Sequence, residues 1–318
     1  MNNHKSVWKS YSLYAFLIAL AIAAIMLLSC GTKETDSADQ QQEQEAKLSV
    51  YVVNYPVMYF AERIGGDKID VQFPAPADED PAFWMPAPEV IKQYQDADVI
   101  FLNGATYAKW IDKVTLPQTK LVNTSESFKD RYLLMPFTVK HSHGPGGEHA
   151  HTGTDFNTWM NPLYAVEQAR AIKTKLQHLL PADSALFEAN FAALESDLIA
   201  LDLAFTDLTA GKGKIPLFAS HPVYGYFAER YGLNLKCRLW EPEEMPGVQQ
   251  WKDFDHERDH HAAKWMIWEG DPDAAIVVKL KESGIACAVV YPCGNKPDAG
   301  DYLSVMKQNV ERLRPVFE

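Results

Sequence analysis

Cysteine and basic charge are scarce in this chain of 318 residues. Four cysteines are too few for a disulfide-stapled scaffold, so an apolar core must hold the fold. Lys and Arg number 30 against 42 Asp and Glu, a formal net charge of −12. A chain this acidic lacks the electrostatic footprint of a nucleic-acid binder and attracts cations instead. Long apolar runs are confined to one stretch near the N-terminus, which excludes a polytopic membrane protein. Neither a GxSxG elbow nor a GxxxxGKS/T phosphate loop is present, and the chain is read as a binding protein, not an enzyme.

What is there begins with an address. Lys5 and Lys9 precede an uncharged run over residues 13–28. Its 16 residues suit a signal-peptide core and fall short of the roughly 20 that a spanning helix needs. The run ends in Leu27-Leu28-Ser29-Cys30, which resembles the lipobox of bacterial lipoproteins, with Leu28 where a small residue is more usual. That resemblance implies a signal peptide over residues 1–29, with acylation of Cys30 after cleavage. An uncleaved N-terminal anchor is the alternative. Either way the rest of the chain is expected outside the cytoplasm and attached to the membrane, in the periplasm or at the cell surface. Residues 30–47 hold no apolar side chain larger than Ala after Cys30 and read as a flexible tether. The other cysteines, Cys237, Cys287 and Cys293, allow one disulfide plus an odd thiol, or three reduced thiols; the pairing is open.

Beyond residue 48 strand-like and helix-like stretches alternate. Strands are expected at 48–53, 69–73 and 99–102, with helices at 56–64, 88–97 and 106–114. This gives an N-terminal α/β lobe over residues 48–182. Residues 139–154, VKHSHGPGGEHAHTGT, break the pattern and read as a mobile loop. Its imidazoles, His141, His143, His149 and His151, form an auxiliary metal loop, since His suits borderline-soft cations. A helix follows from 162 to about 180. Phe187, Phe191, Leu194, Leu198, Leu201, Phe205 and Leu208 then alternate at spacings of four and three, one face of one continuous helix over residues 183–211. A coiled-coil seam competes with a strut between two lobes. The strut fits better, because strand-like runs resume at 215–219, 235–237, 264–268 and 286–291. Helices at 222–231, 248–262, 273–283 and 301–315 accompany them. The expected fold is α/β: two lobes with mostly parallel sheets, the second over residues 212–318, joined by one long rigid linker helix.

Several motifs resemble those of the metal-binding solute receptors of ABC importers, the zinc- and manganese-type lipoproteins of cluster A-I. Pro56-Val57-Met58-Tyr59-Phe60-Ala61-Glu62-Arg63-Ile64-Gly65-Gly66-Asp67-Lys68 is similar to the family's first helix and turn. Asn103-Gly104 resembles its strand-end NG. Ser220-His221-Pro222-Val223-Tyr224-Gly225-Tyr226-Phe227-Ala228-Glu229-Arg230-Tyr231-Gly232-Leu233 is close to its SHDAFGYFAERYGL. Glu241 to Pro246 resembles its PEAEPS turn, and Asp301-Tyr302-Leu303 with Asn309 its C-terminal helix. The resemblance covers roughly residues 48–318. It implies an extracytoplasmic substrate-binding lipoprotein, a monomer that captures a zinc-type divalent ion between its lobes and hands it to a membrane permease.

The family's ligands, three His and one carboxylate, are mostly replaced. The matching positions are Ala82, Asn157, His221 and Tyr291, of which only His221 keeps its usual chemistry. Ala82 has no donor, Asn157 offers a neutral carbonyl oxygen, and a phenol such as Tyr291 ligates mainly strongly acidic metals. Glu269, at a strand end facing the cleft, is the foremost replacement, so the candidate metal set is His221, Asn157, Glu269 and Tyr291. Asp80, Glu79, Cys293 and the cluster from Asp255 to His261 are further donors. Within that cluster His256 and His260 share a helix face, and a solvated charged surface is the ordinary reading. A metal-free binding or interaction protein on the same scaffold is the alternative function.

Overall fold

Short β-branched runs with helices between them can bury both faces only in a parallel, helix-covered sheet, and the chain builds two of these. The computed structural model describes residues 47–135, 139–142, 148–151 and 153–318. In the first lobe β1 (Leu48–Val52) leads through α1 (Tyr55–Gly65) to β2 (Ile69–Gln72), and α2 (Pro88–Asp96) leads to β3 (Val99–Leu102) and β4 (Leu121–Asn123). The four strands are parallel, in the order β2-β1-β3-β4. Asn54 starts α1 by accepting from the Val57 N–H, with Pro56 in the first turn, and Gly66, at φ 55°, ends it.

The stretch 106–114, expected as a helix, holds only a short 3₁₀ turn at Ile111–Lys113. The cause is Gly104, Ala105 and Thr106, all with positive φ of 82°, 49° and 59°. Three left-handed residues in succession turn the chain away from β3 before a helix can nucleate. The histidine-rich stretch also differs from expectation. β5 (Val139–Ser142) and β6 (Glu148–His151) form an antiparallel ladder in which His141 stands opposite His149 and Val139 opposite His151. Backbone hydrogen bonds alone suffice for such a ribbon, so the lack of apolar periodicity did not signal it. His143, Cys30 and the leader and tether through residue 46 lie outside the described residues.

Next come α3 (Pro162–Leu179) and α4 (Ser184–Thr209). The 26 residues of α4 span about 39 Å at 1.5 Å per residue. Its stripe Phe187, Phe191, Leu194, Leu198, Leu201 and Phe205 is buried, each side chain contributing about 1.5–3 kcal/mol. In the second lobe β7 (Pro216–Ala219), α5 (Gly225–Tyr231), β8 (Asn234–Cys237), α6 (Val248–Arg258), β9 (Trp265–Trp268), α7 (Ala274–Glu282) and β10 (Ala286–Val289) form a parallel sheet ordered β10-β9-β7-β8. The C-terminal α8 (Tyr302–Phe317) packs on α1, α4 and β10.

Helix α4 is tied to both lobes. Arg63 of α1 meets Asp197 at 2.7 Å, and Arg230 of α5 grips the buried Asp202 at 2.8 and 2.6 Å. Other bonds cross directly between the lobes: Tyr55 N–H to the Gly294 carbonyl (3.0 Å), Trp159 Nε1–H to the Pro292 carbonyl (2.7 Å) and Tyr302 O–H to the Trp159 carbonyl (2.9 Å). One apolar core runs from Val50 and Phe101 in the first lobe to Leu217 and Val290 in the second. A second core, around Trp240, Trp251, Phe254 and Trp268, backs the β7–β9 sheet.

Cys237, Cys287 and Cys293 are all free thiols. Cys237 on β8 and Cys287 on β10 occupy opposite edges of the sheet, three strand spacings or roughly 14 Å apart, beyond the reach of a disulfide.

Candidate metal site between the lobes

Parallel strands deliver their C-terminal ends to a common edge, where side chains just past each strand converge. In the second lobe this edge carries three donors. His221 lies two residues beyond β7, Glu269 directly follows β9, and Glu241 lies four residues beyond β8. The segment after β8 keeps its register on β7: Arg238 N–H bonds the Ala219 carbonyl at 2.7 Å and Trp240 N–H the Ser220 carbonyl at 2.9 Å. Those bonds bring Glu241 alongside His221.

The three side chains close into one cluster. His221 Nδ1 lies 3.1 Å from Glu269 Oε1, and Nε2 lies 3.8 Å from Glu241 Oε1. One ligating atom from each falls within 4.8 Å of the others. Among the described residues no other group of three or more His, Cys, Asp or Glu side chains converges in this way. His221 is 2% exposed, and both carboxylates are half-buried. One imidazole between two carboxylates offers one nitrogen and at least two oxygens, a donor set suited to zinc and its first-row neighbours.

His221 and Glu269 line a cavity of about 420 Å³ with walls from both lobes, while Glu241 stands beside His221 outside its lining. Asp80, Tyr107, Asp155, Asn157 and Trp159 line one side; His221, Glu243, Glu269, Pro292 and Asn295 line the other. The wall is strongly acidic, which favours a cation over an anion. Asn157 therefore faces the same space as His221. Its backbone N–H and Nδ2 both donate to Asp155 Oδ1, at 2.9 and 3.2 Å. Burial pushes the Asp155 carboxyl up to about 6, and the two bonds from Asn157 offset only part of that.

Tyr291 is not gathered into this group. Its hydroxyl donates to Asp271 Oδ2 at 2.6 Å, and the Arg312 guanidinium covers its ring at 4.7 Å. Burial and Asp271 raise the phenol to about 12. Tyr291 lines a neighbouring cavity that shares only Glu269, Pro292, Gly294 and Asn295 with the first. Cys293 lines that second cavity too, its thiol raised to about 12 by burial. Ala82 is fully buried, its N–H held by Asp80 Oδ1 at 2.9 Å. Of the four expected donors, then, the structure brings His221 and Glu269 into contact, sets Asn157 on the facing wall and holds Tyr291 apart. Glu241 is the donor that sequence reading missed. Its place beside His221 depends on the register of the segment after β8, which the residue pattern does not show.

Comparison with known proteins places residues 50–315 under the profile described as ZnuA, zinc-uptake complex component A, periplasmic. The chain is 25% identical over 310 residues to the zinc-binding lipoprotein AdcA of Streptococcus pneumoniae, covering 94% of this chain and 60% of that protein. It is also 25% identical over 318 residues to the metal ABC transporter substrate-binding lipoprotein ScbA of Streptococcus cristatus, covering 94% and 96%. The chain thus spans about 60% of the length of AdcA. Among solved structures, the Zn(II)-bound ZnuA-like domain of S. pneumoniae AdcA matches with TM-score 0.72 at 22% identity, over 86% of this chain and 99% of that one. The metal-dependent lipoprotein YcdH of Bacillus subtilis matches with TM-score 0.72 at 23% identity, over 86% and 100%. These likenesses establish the two-lobed fold.

Proposed function

The chain belongs to the zinc-uptake complex component A family, and from that premise we propose that it captures a divalent metal ion, zinc or a first-row neighbour, in the cleft and presents it to the permease of an ABC importer. The observation that carries this reading is the convergence of His221, Glu241 and Glu269 on one point. Three protein donors with a further position for water are what a cargo site needs, since the ion must also leave. The carboxylates supply negative charge, and the imidazole supplies the nitrogen that favours zinc over calcium or magnesium. Binding requires a neutral imidazole and ionised carboxylates, so uptake of the ion competes with protons.

The lobes contribute more than walls. Helix α4, pinned at Asp197 and Asp202, and the bonds across the lobes from the Tyr55 backbone N–H and the Trp159 indole N–H oppose a wide hinge motion. Capture then proceeds by small rearrangement of loops at the sheet edges. No helix among the described residues is long and apolar enough to cross a membrane. Attachment through an acylated Cys30 on the outer side of the membrane, with residues 30–47 as tether and the receptor domain as a monomer, completes the proposal; AdcA and ScbA are named lipoproteins. The histidines of the β5–β6 ribbon would serve as an auxiliary ion trap. Carriage, not catalysis, is the proposed activity. The metal-free alternative is disfavoured because Glu241 and Glu269 replace lost donors.

The test is metal titration of the full chain by calorimetry with elemental analysis. One tight equivalent of zinc is expected, and His221→Ala should weaken it by at least about a hundredfold, more than loss of an outer-sphere contact costs. Unchanged affinity in that variant would overturn the reading.

A further inference from the structure

Sequence reading treated the acidic stretch after Trp251 as a solvated helix face, yet His256-Glu257-Arg258-Asp259-His260 carries the HExxH spacing of zinc peptidases. The structure argues against a hydrolase there. Glu257, which would have to be the general base, is held by an ion pair to Arg238 and by Lys236 at 3.4 Å. No third donor joins the two histidines among the described residues.

The imidazoles themselves are differently placed. Both are exposed: His256 in the last turn of α6, on the side away from the buried Trp251 and Phe254, and His260 two residues past the end of the helix. Their ring centroids are 5.2 Å apart. Helical backbone continues through Asp259, whose N–H bonds the Asp255 carbonyl at 3.3 Å, and His260 N–H bonds the Glu257 carbonyl at 3.0 Å. The four-residue spacing is therefore closed by a tight turn of the i→i−3 type at the end of the helix. An ion with bonds of about 2.0–2.1 Å needs two cis nitrogens roughly 3 Å apart, which rotation of two exposed side chains supplies without moving the helix.

We propose that His256 and His260 form a second, surface metal site, a bidentate chelate for a nitrogen-preferring late first-row ion such as Cu(II), Ni(II) or Zn(II). Two imidazoles and no thiolate or carboxylate favour the later ions of the series. The exposed Asp255 and Asp259 add negative charge that draws cations to this face. The site is separate from the cleft cluster and does not depend on it.

The probe is Cu(II)–iminodiacetate, which leaves two adjacent coordination positions for two imidazoles. It is titrated into the full chain with His141, His143, His149, His151 and His221 replaced by Ala, and read by calorimetry and electron paramagnetic resonance. The expected result is one equivalent with two nitrogen couplings. Losing chelation through His256→Ala or His260→Ala should weaken binding by about a hundredfold each. In the unsubstituted chain the same two changes should remove one weak equivalent of Zn(II) and leave the tight cleft equivalent intact, so failure of the cleft reading and failure of this one give different results. Binding that survives both single substitutions, or that shows one nitrogen only, would overturn the chelate.

Discussion

Replacing Arg230 with methionine strands the Asp202 carboxylate inside the helix packing. The Asp202 side chain is 6% exposed and receives Arg230 Nε and Nη2 at 2.8 and 2.6 Å, with the Tyr231 hydroxyl at 3.1 Å as its remaining donor. Breaking a buried pair from one side costs about 3–5 kcal/mol. The Arg230 side chain is 33% exposed, so water replaces part of what is lost, and the expectation falls to about 2–3 kcal/mol. For a domain of this size that lowers Tm by about 4–5 °C. The assay is calorimetric or urea unfolding of Arg230→Met, Asp202→Leu and the double variant. The double variant removes charge and partner together and should recover to within about 1 kcal/mol of the parent. A cost below about 0.5 kcal/mol for Arg230→Met, or a double variant worse than the sum of the singles, would refute the claim that this pair fastens α4 to the second lobe.

Asp155 gives a pH signature. Its folded carboxyl is raised to about 6 from an ordinary 3.8, so the folded state binds the proton more tightly than the unfolded one. Stability on this account falls as pH rises from about 4 to about 6, and Asp155→Asn should flatten that slope and stabilise at pH 7 by about 2 kcal/mol, measured by unfolding across pH. A steeper slope in the variant would contradict it. Gly104→Ala should cost about 2–4 kcal/mol, because φ is 82° and a Cβ would lie 2.0 Å from Ser125 Oγ and 2.1 Å from Asn123 Oδ1. A variant as stable as the parent in urea would mean that the β3 turn has room to relax.

The strut was legible because seven apolar residues at alternating spacings of four and three leave few other readings. Parallel sheets were legible from continuous runs such as Val99-Ile100-Phe101-Leu102. β4 was not: three half-buried residues carry no pattern above background. The absent helix at 106–114 was hidden because Ala and Thr rarely adopt the left-handed conformation that Ala105 and Thr106 take here. His221 and Glu269 could be read as strand-end residues. Glu241 could not, since the register that carries it beside His221 is set by Arg238 and Trp240 bonding to the neighbouring strand. Tyr291 was placed by alignment of a motif, whereas Asp271 and Arg312, which fix its side chain elsewhere, are distant in sequence.

Zinc titration of Glu241→Gln beside Tyr291→Phe separates the site built by the strand edges from the site implied by the motif. The account predicts that Glu241→Gln loses at least about a hundredfold in affinity while Tyr291→Phe stays within about threefold of the parent. An undiminished Glu241→Gln together with a crippled Tyr291→Phe would contradict it.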